Sequence, residues 1–105
     1  MKLSEKEIKK RLKKLRGWQQ EKSKSSIESA KFAKQDSLHK KFKFKDFSAA
    51  MKFLNKVSKI AQKHEHHPDF LLYDWNRVSI WITTHSEGGI TEWDFSLAKA
   101  IETIK

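Results

Sequence analysis

Apolar positions recur along this chain in two periods, and each change of period marks an element boundary. Over residues 4–16, Ile8, Leu12 and Leu15 share one helical face and Lys fills the others. Ser4 with Glu7 three residues on is a capping pair, and Gly17 is a helix stop. Residues 19–37 are polar and rich in Ser and Lys, which reads as a loop or a weak edge strand. From Leu38 through Phe42 and Phe44 the period drops to two, which predicts a half-buried strand. Helical spacing returns with Phe47, Ala50, Leu54, Val57 and Ala61, flanked by Met51 and Ile60. This second helix should run from Phe47 to His64, capped by Asp46 or Ser48. Pro68 ends it and forces His67 into extended backbone.

Residues 70–73 and 77–85 then predict a hairpin around Asp74–Asn76. In its second strand Val78, Ile80 and Ile82 point one way, and Ser79, Trp81, Thr83 and His85 the other. Gly88-Gly89 is a turn, and Thr91 opens a last helix with Leu97, Ala98, Ile101 and Ile104 inward. Strands so close in sequence pair antiparallel. The expected fold is α+β: an antiparallel four-stranded sheet with three helices on one face, in the order α-β-β-α-β-β-α. One domain over 1–105 accommodates it.

Composition narrows the function classes. The chain has no cysteine, which excludes a disulfide scaffold and a thiolate metal site. No apolar run has the length of a membrane span, and the charged N-terminus lacks a signal-peptide core, so a cytoplasmic location is expected. The formal net charge is +10, but Arg11, Arg16 and Arg77 are the only arginines among 23 basic residues. Base readout favours Arg, so a Lys-rich solvated surface outweighs a nucleic-acid site. The alternation of Lys with Phe42 and Phe44 resembles a base-stacking platform, although a half-buried strand explains it with fewer assumptions.

Four of the five histidines fall at element ends: His64, His66 and His67 after the second helix, and His85 at the end of a strand. Imidazole moves protons in both directions near neutral pH. Three readings follow from these residues: capping or surface histidines, a metal site, or general acid–base catalysis without metal. His-x-His-His lacks the i, i+4 spacing that places two ligands on one helical face, so no metal is expected.

The run His66-His67-Pro68, followed after six residues by Trp75, after nine by His85 and after eight by Asp94, resembles the signature of the pterin-4a-carbinolamine dehydratases. The flanking text FKFKDF, NRVSIWITTH and GGITEWDFSLAKAIE fits as well, as does Gly17-Trp18. One departure is Gln62, where the family often has an acid; an amide can hydrogen-bond but cannot take a proton.

The resemblance implies dehydration of a 4a-hydroxytetrahydropterin to a quinonoid dihydropterin, without metal or redox cofactor. It assigns His66 and His85 to proton transfer and His67 to orienting the substrate. Pro68 would fix the corner, Thr84, Ser86 and Glu87 would line the pterin slot, and Trp18 would cover the ring. Glu65 would partly stand in for the missing acid. Asp94 either caps the last helix, as Thr91-Glu92-Trp93-Asp94 suggests, or holds His85. The family also implies a homodimer or homotetramer, and the alternative of a dimerising transcriptional coactivator with little turnover.

Overall fold

A computed structural model describes residues 1–22 and 35–104. Most of the polar stretch read as a loop or weak edge strand, residues 23–34, lies outside the described residues. The elements are α1 (Glu5–Leu12), β1 (Gln19–Glu21), β2 (Ser37–Lys43), α2 (Phe47–His64), β3 (Asp69–Tyr73), β4 (Arg77–Ile82) and α3 (Glu92–Ile101). The strands form one antiparallel sheet in the order β1-β2-β4-β3. This is the expected α+β architecture, with β1 as the weak edge strand.

Period-two alternation places the core. Leu38 of β2 and Val78, Ile80 and Ile82 of β4 are fully buried on the helix-covered face, against Phe95, Leu97 and Ile101 of α3. Each such side chain contributes about 1.5–3 kcal/mol of burial. Ala50, Phe53, Leu54, Val57 and Ala61 form the buried stripe of α2, whereas Phe47 and Met51 are exposed. Phe42 and Phe44 pack on Phe53 with centroids 4.8 and 4.9 Å away, so these rings belong to the edge of the core.

Two boundaries differ from the sequence reading. Helix α1 stops at Leu12; Lys14 and Leu15 make i→i−3 bonds, and Gly17, at φ 87°, turns the chain into β1. Strand β4 stops at Ile82, because Thr84 pairs with Gly89 and folds the chain back on itself. His85–Glu87 therefore form a 3-10 turn standing off the end of the sheet.

The face of the sheet away from the helices is not simply polar. The His39 ring stacks on Trp81 at 4.7 Å, nearly parallel. The Trp81 indole N–H donates to Glu21 Oε2 (2.7 Å), and Glu21 Oε1 lies 3.3 Å from His39 Nδ1. His39 is 6 % exposed, and its Nε2 has no hydrogen-bond partner among the described residues.

Candidate active site

The site forms where α2 ends, β4 ends and α3 begins. Asp46 caps α2, its carboxylate accepting from the Ala49 N–H (2.8 Å). At the other end Glu65 takes a left-handed conformation, φ 51°. The Glu65 N–H reaches the Gln62 carbonyl and the His66 N–H reaches that of Ala61, closing the last turn. The helix thus ends at His64, with Glu65 as its cap, before Pro68 acts. A left-handed non-glycine residue is a strained position, and it releases His66 and His67 in a new direction.

His66 and His67 leave that turn side by side with different partners. His66 Nε2 donates to Asp94 Oδ1 at 2.6 Å. Asp94 is completely buried, and its Oδ2 accepts from the Thr91 N–H (2.7 Å) and the Thr84 hydroxyl (2.9 Å). Thr91 Oγ1 in turn accepts from the Trp93 N–H (3.2 Å), which completes the capping box of α3. Asp94 therefore does both things the sequence left as alternatives, with one change: it caps its helix and holds His66, not His85. An ionised carboxylate can only accept, which makes His66 Nε2 the donor of the pair. His67 Nε2 donates to Gln62 Oε1 at 2.6 Å.

These residues line one open cavity of about 590 Å³, bounded by His64, Glu65, His66, His67, Thr83, Thr84, His85, Ser86 and Trp93. That is the size of a small-molecule site. The histidines from the end of α2 and from the 3-10 turn meet in it, and Glu65, Thr84 and Ser86 line it with them. Asp69, the first residue of β3, lies close enough to feel the charge of His85; partial burial still pushes its carboxyl above the usual range. Among the described residues, no three imidazole or carboxylate groups converge as metal ligands.

Three expected binding residues lie elsewhere. Trp18 is 5 % exposed in the core, edge-on to Phe42, with its indole N–H donating to Glu102 Oε2 (3.0 Å). Glu87 points away and pairs with the N-terminal amine at 2.9 Å. Pro68 immediately precedes β3 and is not among the residues that line the cavity. Trp75, the aromatic of the spacing signature, sits exposed at the far tip of the hairpin. Conversely, Thr83 and Trp93 line the cavity although the sequence reading gave neither a place in the site. For Trp93 the available signal was its position in the first turn of a helix whose cap reaches the histidines.

Comparison with known proteins places the chain among its relatives. The family model described as pterin 4 alpha carbinolamine dehydratase matches residues 1–104. A curated protein of Sulfolobus acidocaldarius with the provisional name pterin-4-alpha-carbinolamine dehydratase is 45% identical over 105 residues, covering 100% of both chains. A second, from Sulfurisphaera tokodaii and with the same provisional name, is 42% identical over 98% of this chain and 96% of its own. A crystal structure from Brucella melitensis, described as a transcriptional coactivator/pterin dehydratase, superposes with a TM-score of 0.79 at 34% identity, covering 98% of this chain and 97% of that one.

Proposed function

The chain belongs to the pterin 4 alpha carbinolamine dehydratase family, and we propose that it removes water from a 4a-hydroxytetrahydropterin by histidine acid–base catalysis. The observation that carries this reading is the shared cavity: imidazoles from the end of α2 and from the 3-10 turn face one space of about 590 Å³.

The reaction needs two proton movements. The C4a–O bond breaks, and the departing hydroxyl takes a proton to leave as water. N5 gives up its proton, and the electron pair of that N–H bond forms the N5=C4a double bond of the quinonoid dihydropterin. A site with a proton donor and a proton acceptor on opposite sides of the heterocycle serves both steps. His66, anchored through Nε2 to a buried carboxylate, presents its other ring edge to the cavity. His85 enters from the 3-10 turn. These two are the proton-transfer pair, and His67, tethered by Gln62, orients the substrate. Glu65, Thr84 and Ser86 supply polar contacts around the ring. Neither step demands a metal or a redox cofactor. Dehydration of a freshly generated 4a-hydroxytetrahydropterin, followed by absorbance of the quinonoid product, tests the reading: the chain should outpace the spontaneous reaction. In a cell with an aromatic amino-acid hydroxylase, the same activity would return the oxidised tetrahydropterin cofactor to use.

A second reading, an interaction protein of the coactivator type, draws on the description of the Brucella melitensis relative. It also has surface to work with. Strand β3 is a sheet edge, and Phe70 and Leu71 on it are 49 % and 36 % exposed. Pairing of that edge with a second copy would give a homo-oligomer and cover both side chains.

A further inference from the structure

Trp93 is an exposed indole in a chain that buries Trp18 and Trp81 at 5 % each; its own exposure is 59 %. It does not belong to the core, and its ring forms a wall of the histidine cavity. Trp93 also borders a smaller space of about 310 Å³ beside Leu3 and Thr91, so it stands between that space and the histidine cavity.

Its placement is fixed by the same cap that fixes the chemistry. The Trp93 N–H donates to Thr91 Oγ1, and Thr91 N–H donates to Asp94, whose other oxygen holds His66. The indole and the His66 imidazole are therefore registered to each other through Thr91, Trp93 and Asp94, in the cap and first turn of one helix. Their centroids are 6.4 Å apart with a 56° tilt, an open angle between two rings. A flat heterocycle laid on the indole would turn its edge toward the His66 ring. Stacking on an aromatic face is available to any planar π-system and orients it without hydrogen-bond partners.

We propose that Trp93 is the stacking wall of the site: the bicyclic ring of the substrate lies on its indole face, with the reacting edge toward His66 and His85. This takes the place expected of Trp18, which is sealed in the core. The proposal rests on the pterin reading of the cavity, and the test separates the two.

The experiment is titration of the full chain with a stable 7,8-dihydropterin, by calorimetry and by tryptophan fluorescence, for the wild type, Trp93→Phe, Trp93→Ala and Trp75→Phe. Substitution at an exposed side chain leaves the fold in place, and thermal melts confirm it. Trp93→Ala should weaken binding roughly tenfold or more, while Trp93→Phe retains most of the affinity. Ligand quenching should vanish in Trp93→Phe and persist in Trp75→Phe, whose indole lies a strand length away. If the wild type binds and Trp93→Ala binds equally well, the stacking wall is wrong and the pterin site stands. If the wild type does not bind the dihydropterin at all, the pterin reading falls and takes this proposal with it.

Discussion

His66 and Asp94 are joined at 2.6 Å, and the carboxylate that holds the imidazole is the same one that caps α3. One buried side chain therefore both caps a helix and anchors an imidazole of the candidate site. Asp94→Asn keeps the size but puts an amide N–H against groups that themselves donate. Turnover should fall about 10- to 100-fold, with stability lowered by roughly 1–3 kcal/mol for the donor left unsatisfied. Steady-state kinetics and chemical denaturation on the same variant read both effects. A loss of stability with an unchanged rate would show that Asp94 is only a cap.

Gln62 and His67 form the companion pair, with an amide in place of a carboxylate. Gln62→Glu adds a negative charge beside the ring, which favours its protonated form. Whichever limb of the pH–rate profile His67 governs should move to higher pH in this variant. Gln62→Met removes the acceptor, frees the ring and should raise KM more than it lowers kcat. Identical profiles for all three proteins would mean that His67 is not used.

The stacked His39 gives stability a pH dependence separate from activity. Burial pushes its imidazole below the usual range, aided by Lys41, while Glu21 pulls the other way. The unfolded chain protonates this ring near the ordinary value of about 6.5, before the folded chain does. Folding stability should therefore decline as pH falls through that value and level off below the folded one. His39→Phe keeps the stack on Trp81 and removes the titration, so its melting temperature should vary less between pH 7 and 5. An equal slope in both proteins would place the dependence elsewhere.

Most of the fold was legible from periodicity. The alternation around Leu38, Val78, Ile80 and Ile82 is local, so it names strands, faces and partners without tertiary information. Asp46 as a cap and the histidine cluster at the end of α2 were legible for the same reason. The pairing of His66 with Asp94 was not. The cap pattern explains Asp94 completely at the local level, and only the reversal at Thr84–Gly89 brings the end of α2 to the start of α3. Trp18 lies in the core and Trp93 beside the cavity for a similar cause. Spacing places an aromatic near a motif, but which face of the sheet and which helix end it meets is decided by packing. The His39–Trp81–Glu21 stack was hidden because alternation assigns Trp81 to the face away from the helices without saying that His39 covers it.

The most direct measurement is stopped-flow dehydration of a freshly generated 4a-hydroxytetrahydropterin by the wild type, His66→Ala and His85→Ala, each checked for native melting. The account predicts clear acceleration by the wild type and a loss of roughly a hundredfold or more in each variant. Wild-type rates in both variants would contradict it.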